Sequence, residues 1–212
     1  MTRKVFWDNP YLSVHRATVA RVAGQHVRLD STIFFAFSGG QESDAGTIGG
    51  YLVEEAAKDG LDIVYTLPSD HGLLLGQEVD IVIDWQRRYS LMRSHFAAEM
   101  VLQLIYQQLP GIERIGAHIA PGKARIDFAY EHSLAPLIAA IQCDAQKLTA
   151  ADLPIMTDYS DVELQRRYWK VDGFAQMPCG GTHPRSTGEI GPFTVKRRNP
   201  GSGKERVEIT LG

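Results

Sequence analysis

Two short stretches, far apart in the chain, carry residue types that bind transition metals. His95 and Glu99 stand four residues apart in a segment without Gly or Pro, so a helix would place them one turn apart on one face. Leu91, Ala98 and Leu102 share that face, where a carboxylate beside an imidazole is costly unless both are paired or bound to a cation. Taken alone, a hydrogen-bonded core histidine and an exposed helix glutamate explain the pair better.

The second stretch is Cys179-Gly180-Gly181-Thr182-His183. Its spacing puts a thiolate and an imidazole in one short loop, and the two glycines allow the loop to fold tightly around an ion. With the helix pair it offers up to four ligands of types that zinc accepts, since a carboxylate oxygen can replace an imidazole at about 2.0–2.2 Å. The Cys-x₃-His pattern is moderately specific when it stands alone.

A third stretch, residues 38–46, holds three glycines in nine residues. Such a density predicts positive φ angles or a backbone that approaches something closely. No lysine follows to make a P-loop and no helix follows to make a dinucleotide fingerprint. By itself this segment is best explained as a loop between strands.

Six cations cluster towards the C-terminus: Arg185, Lys196, Arg197, Arg198, Lys204 and Arg206. Such a group is more often a solvated face than a nucleic-acid site. The net charge of −3 argues against a protein that coats nucleic acid, although it permits a local basic patch.

The 212 residues suffice for one large domain or two small ones. No apolar run approaches the roughly 18 residues of a membrane span, and the N-terminus lacks the apolar core of a secretory signal, so a cytoplasmic protein is expected. The two cysteines make no disulfide framework, and Cys143 is expected to be a core thiol.

The first 84 residues predict a β-rich domain. A hairpin turning at Ala23-Gly24-Gln25 and a buried aromatic strand, Thr32–Phe37, are the main signals. Further strands are expected at Arg16–Ala23, His26–Asp30, Tyr51–Ala56, Asp62–Leu67 and Glu78–Asp84. Short strands with tight turns favour a small barrel or sandwich.

From residue 85 onward the pattern changes to that of an α+β domain. A long helix is expected over Arg87–Gln108 and a second over Ser133–Lys147, with a short helix at Asp161–Arg167. Strands are expected at Arg114–Ala120, Ala124–Phe128, Tyr168–Val171, Phe193–Arg198 and Glu205–Leu211. The last two form a hairpin around Asn199–Gly203.

Several motifs together resemble one family, the editing domains of alanyl-tRNA synthetases, and above all the free-standing AlaX-type editing proteins. They are the segments 93–99, 179–183 and 187–193, the glycine-rich segment 37–48, and the strand 125–128. Their order and their spread over nearly the whole chain make the resemblance specific.

The resemblance implies a small β-barrel-like domain (1–84) followed by a two-layer α/β editing domain of the threonyl/alanyl-tRNA synthetase type (85–212). It implies a zinc-dependent aminoacyl-tRNA deacylase, independent of ATP, that hydrolyses tRNA(Ala) mischarged with serine or glycine and contacts its acceptor end. His95, Glu99, Cys179 and His183 become the zinc ligands. His183, either the fourth ligand or a partner for substrate and water, joins Thr182 and the amides of Gly180 and Gly181 as the catalytic set.

Substrate and tRNA contacts are assigned on the same basis. Those residues are Gly39, Gly40, Gln41, Asp44, Arg185, Lys196, Arg197 and Arg198, of which Gln41 and Asp44 could instead only shape their loop. The sequence departs from the family at position 99, where the second helix histidine is replaced by glutamate. Glu99 is therefore either a ligand or a carboxylate outside the coordination sphere, and as a ligand it would make zinc a weaker Lewis acid.

Two other functions remain open at this point. A non-catalytic tRNA-binding module would have a closed, structural zinc site with four protein ligands. A zinc hydrolase acting on a small molecule would make the basic C-terminal hairpin irrelevant, and its activity would be insensitive to salt.

Overall fold

A computed structural model describes all residues, 1–212, and divides the chain into two compact units. The first comprises Met1–Ser38 and Glu42–Tyr89, and the second comprises Gly39–Gln41 and Ser90–Gly212. The structure is α+β and rich in sheet, as the sequence predicts, and one of its sheets curls into half a barrel. None of its helices is both long enough and apolar enough to cross a membrane.

The first unit consists almost entirely of short strands. Its elements are β1 (Arg3–Lys4), α1 (Val5–Asp8), β2 (Val14–Ala23), β3 (His26–Leu29), β4 (Ser31–Thr32), β5 (Gly46–Ile48), β6 (Tyr51–Leu52), β7 (Glu55–Asp59), β8 (Asp62–Thr66) and β9 (Glu78–Ile83). Seven of the strands form one sheet in the order β6-β5-β9-β2-β3-β8-β7. The predicted β2–β3 hairpin is confirmed, with Ala23 paired to His26.

The predicted strand Thr32–Phe37 is wrong. Its middle, from Ile33 to Ala36, is buried, but strand geometry stops at Thr32. Side chains replace the missing sheet partners: Phe35 N–H donates to the Asp44 carboxylate at 2.7 Å, and the Ile33 carbonyl accepts from Arg88 at 2.5 Å. Because buried backbone groups need only some hydrogen-bond partner, a buried apolar run does not have to join a sheet.

The long helix, α2 (Trp85–Gln108), confirms the prediction to within two residues. It begins where the Asp84 side chain accepts a hydrogen bond from Arg87 N–H at 3.0 Å, an N-terminal cap. Pro110-Gly111 follows its end. The last five turns or so, from Ser90 onward, belong to the second unit.

The second unit places α2 and one more helix in a common core with a four-stranded sheet. Its remaining elements are β10 (Glu113–Ala120), β11 (Lys123–Ala129), α3 (Ala135–Ala150), β12 (Met156–Asp161), β13 (Arg166–Val171), β14 (Ala175–Pro178), a 3₁₀ turn (Thr187–Ile190), β15 (Phe193–Gly201) and β16 (Lys204–Leu211). The main sheet has the order β10-β11-β16-β15, and β12, β13 and β14 form a separate antiparallel sheet.

Most second-unit predictions are confirmed, including the β15–β16 hairpin. The short helix at Asp161–Arg167 is wrong, because these residues are the end of β12, the turn 162–165 with Gln165 at a φ of +52°, and the start of β13. A polar run of that length fits a turn as well as a helix. Cys143 is also not a core thiol, since it lies on the exposed side of α3.

Candidate metal centre

Four side chains that the sequence places in two distant stretches meet in the second unit. One donor atom each from His95, Glu99, Cys179 and His183 lies within 4.8 Å of all the others, a group that could hold a metal ion. The shared buried face of α2 brings the first two together, because Leu91, His95, Ala98, Glu99 and Leu102 are all at most 7% exposed. The loop after β14 brings the other two.

The distances between the donor atoms suit tetrahedral coordination. His95 Nε2 stands 3.3 Å from Glu99 Oε1 and 3.6 Å from Cys179 Sγ. Ligands bound at about 2.0–2.3 Å to one tetrahedral zinc stand roughly 3.3–3.7 Å from one another. His183 Nε2 and Glu99 Oε2 are 2.9 Å apart, a hydrogen-bond distance that is shorter than this range. Glu99 thus contacts both imidazoles, one through each oxygen.

The charges of these groups are strongly coupled. Burial by itself would raise the pKa of Glu99, but the facing imidazoles of His95 and His183 lower that pKa far below its usual range. Burial would likewise lower the pKa of His95, whereas Glu99 and Cys179 raise it well above the usual value. Glu99 is therefore held as an anion. Burial and Glu99 would raise the pKa of the Cys179 thiol, but the imidazoles of His95 and His183 lower it from its usual value, and a divalent cation would favour the thiolate while leaving the imidazoles uncharged.

The loop that carries Cys179 is shaped to fit the helix. A Cβ placed on Gly181 would stand 2.0 Å from Cε1 and 2.6 Å from Nδ1 of His95, so only glycine is compatible with this contact. The Gly181 N–H donates to Cys179 Sγ at 3.3 Å, and the Thr182 carbonyl lies 3.3 Å from Nδ1 of His95. A bond at Nδ1 leaves Nε2 directed at the other donors, as is common for metal-binding histidines.

Two residues of the glycine-rich segment complete this side of the centre. The Ile119 N–H donates to the Gly40 carbonyl at 2.8 Å, so the segment extends the edge of β10. A Cβ on Gly40 would stand 2.4 Å from the Ala117 carbonyl oxygen, which explains the glycine. Gln41 is 1% exposed and its amide nitrogen donates to Thr182 Oγ1 at 3.1 Å, but its Oε1 has no hydrogen-bond partner.

Other residues assigned to the site from the sequence have different surroundings. The Asp44 side chain is fully buried in the first unit, where it forms an ion pair with Arg88. Gly39 adopts a φ of +62° in open space. Arg185 donates its backbone N–H to Glu189 at 2.9 Å. The Gly181 amide is already bonded to the sulfur, which leaves its assignment as a donor to substrate without structural support.

The basic C-terminal residues separate onto two faces of the main sheet. Arg197 forms an ion pair with the buried carboxylate of Glu205, which also accepts from Leu134 N–H at 3.0 Å. Lys196 and Arg198 point to the opposite, open face. Strand β11 adds Lys123 to that face, a cation that the sequence patch did not include. A prediction that β11 pairs with the C-terminal hairpin would have been needed to place Lys123 beside these cations.

Comparison with known proteins shows the family of this chain. Residues 170–208 match the family described as the threonyl and alanyl tRNA synthetase second additional domain. The alanyl-tRNA editing protein AlaX-M of Pyrococcus horikoshii is 30% identical over all of this chain and 98% of its own length. AlaX-M of Saccharolobus solfataricus is 28% identical over 99% of its length. The alanine–tRNA ligase of Methanocorpusculum labreanum is 31% identical, and the match covers 26% of that enzyme.

Proposed function

Because this chain belongs to the family of AlaX-type alanyl-tRNA editing proteins, we propose that it deacylates tRNA(Ala) mischarged with serine or glycine. The observation that carries this proposal is the convergence of His95, Glu99, Cys179 and His183 on one point beside the buried Gln41–Thr182 pair. The reaction adds water to the ester, releases the amino acid and leaves the ribose hydroxyl of the tRNA free.

We further propose that the ion held by these four residues is Zn²⁺. Thiolate, imidazole and carboxylate are all zinc ligands, and the two anions offset the charge of the ion. When bound, zinc supplies a Lewis acid that polarises an ester carbonyl and lowers the pKa of water. Glu99 in place of a neutral imidazole reduces that acidity, which favours a role in holding and orienting the substrate.

The chain's own groups then orient the ester and exclude water. Gln41 fixes the Thr182 hydroxyl, which becomes a donor to the ester within a pocket where Thr182 is 1% exposed. Since an aminoacyl ester is already activated, positioning and stabilisation of the developing oxyanion suffice for modest catalysis. Cys179 is the only one of the four side chains that is not fully buried, so the acceptor end would approach from its side.

The buried, unpartnered oxygen of Gln41 supports discrimination against alanine. A serine hydroxyl can donate to Gln41 Oε1, whereas the methyl group of alanine would leave that acceptor desolvated and unpaired. Sites built to hydrogen-bond a substrate group reject analogues that lack it. Glycine lacks that hydroxyl too, and its acceptance would rest on its smaller size.

The test uses tRNA(Ala) charged with serine, glycine or alanine, with release of amino acid followed before and after chelation. We expect release from the seryl and glycyl forms, no release from the alanyl form, and loss of activity with the metal. Unfolding of the chelated protein without prior turnover would support the structural-zinc module instead. Absence of release from both mischarged forms would exclude the editing function.

A further inference from the structure

We propose that the open face of the β10-β11-β16-β15 sheet is the surface on which the double-stranded part of the tRNA lies. This inference rests on the proposed function and extends it from the acceptor end to the stem. One face of the sheet is apolar and buried, with Ile126, Phe128, Val207 and Ile209 each at most 2% exposed. Successive strand residues point to opposite faces, so the alternate positions form the open face.

The open face has a high density of positive charge. Its cations come from three adjacent strands, and they are Lys123, Arg125, Lys196, Arg198, Lys204 and Arg206. Three carboxylates share the face: Asp127, which pairs with Arg125 and Arg206, Glu208, which pairs with Arg198 at 3.1 Å, and the exposed Glu113 of β10, which the register places opposite Ala129. Three positive charges thus remain in excess on one face of a chain whose net charge is −3.

Three of the cations have no ion-pair partner. Lys123, Lys196 and Lys204 are exposed, and no carboxylate lies within 4.0 Å of their ammonium groups. The register places Lys123 opposite Thr210, Lys196 opposite Glu208, and Lys204 opposite Ala129. With residues i and i+2 about 6.7 Å apart along a strand, the cations span about 20 Å along the sheet. A long, narrow field of this kind matches a row of phosphates.

The composition of the face favours a nucleic-acid duplex over other polyanions. The face carries no Phe, Tyr or Trp, the large aromatic side chains on which successive unpaired bases stack. The same absence argues against a membrane surface, where aromatic and large aliphatic side chains enter the interface. Contacts to the phosphates of an RNA helix need only cations, and such contacts position the RNA without reading its sequence.

The edge of this sheet is continuous with the metal centre. β10 is an edge strand, and its free edge is occupied by Gly40 and Gln41. Gln41 in turn bonds to Thr182 in the loop that carries Cys179 and His183. An RNA strand that leaves a stem on the open face and passes this edge therefore arrives at the residues proposed to receive the ester.

The experiment measures binding of fluorescently labelled, unacylated tRNA(Ala) between 50 and 200 mM salt. The variant K123Q/K196Q/K204Q removes the unpaired cations, and R166Q/K147Q/K170Q removes three cations of the same unit that lie off this face. We expect the first variant to bind at least about tenfold more weakly, with a slope of log K against log salt reduced by about 2, and the second to bind like wild type. K123R/K196R/K204R restores binding if charge is the cause.

Equal tRNA binding by the two glutamine variants would overturn the proposal. Binding to phosphatidylserine vesicles is measured in parallel, and a K123Q/K196Q/K204Q variant that loses vesicle binding but keeps tRNA binding would also overturn it. Far-UV circular dichroism and thermal melting establish that each variant is folded, and the single variants K123Q, K196Q and K204Q carry the test if the triple glutamine variant is not. Because the probe is unacylated, the two proposals fail separately. Wild-type protein that binds tRNA through this face without hydrolysing the ester refutes only the editing function.

Discussion

His95 and Gly181 are in such close contact that one methyl group on the glycine would overlap the imidazole, at 2.0 Å from Cε1. We expect Gly181→Ala to displace the His95 ring and to reduce bound metal from one ion per chain to a small fraction. Metal analysis by mass spectrometry after gel filtration measures this loss. Gly116→Ala is the matched control, because a Cβ there meets only ordinary contacts at 3.5 Å or more. Full metal content in Gly181→Ala would refute the role assigned to this contact.

Glu99 should respond differently to loss of charge and to replacement by imidazole. Glu99→Gln keeps the shape of the side chain but removes the anion facing His95 and His183, so we expect metal affinity to fall about 10–100-fold. Glu99→His restores the family pattern, and we expect retained metal and equal or greater deacylation. Competition with a chelator measures the affinity. Loss of metal in Glu99→His would show that imidazole cannot replace this carboxylate geometrically.

The buried oxygen of Gln41 gives a specificity prediction. Gln41→Met preserves length but removes both the unpartnered acceptor and the donor to Thr182, so both substrates should be hydrolysed more slowly and the preference for seryl-tRNA over alanyl-tRNA should fall about 10–100-fold in kcat/KM. Gln108→Met, at an exposed position at the end of α2, serves as the control. If Gln41→Met slows hydrolysis of seryl-tRNA and alanyl-tRNA by the same factor, Gln41 positions the ester of either substrate and does not discriminate between them.

The fully enclosed pair of Arg88 and Asp44 makes a stability prediction. Asp44→Asn leaves the guanidinium without a counter-ion where both side chains are 0% exposed, which costs about 3–5 kcal/mol. We therefore expect Tm to fall by roughly 10 °C. Glu42→Gln, which alters a half-exposed pair with Arg87, should cost less than about 1 kcal/mol. Similar melting curves for the two variants would contradict this difference.

Glu205 links stability to pH. The hydrogen bond from Arg197 lowers the pKa of Glu205, burial opposes this effect, and Leu134 N–H adds to it, so the folded-state pKa lies below 4.5. The stabilisation is complete above the unfolded-state pKa and is lost as pH falls through the folded one. We expect Glu205→Gln to lower Tm at neutral pH and to approach wild type in acid. Glu208→Gln, whose partner Arg198 is largely exposed, is the control and should change Tm at neutral pH much less than Glu205→Gln.

The sequence was sufficient to predict the elements whose periodicity is strong. The face of α2 with His95 and Glu99 follows from 3.6-residue spacing, and the C-terminal hairpin follows from alternation around a turn. Spacing could not reveal that Phe35 would bond to a carboxylate instead of a strand, nor that the pairing of β11 with β16 would add Lys123 to the face of Lys196 and Arg198. These depend on partners distant in the chain, which only the folded register supplies.

The short segment Gly39–Gln41 is part of the second unit, although the residues on both sides of it belong to the first. The chain therefore crosses from one unit to the other and back before it enters α2. A gene fragment that starts at residue 85 would encode all four residues of the candidate metal site. It would lack Gln41 and the backbone segment that pairs with the edge of β10. Recombination at the apparent domain boundary would therefore separate Gln41 from Thr182 and Gly40 from Ile119, and it would uncover that side of the four-residue cluster.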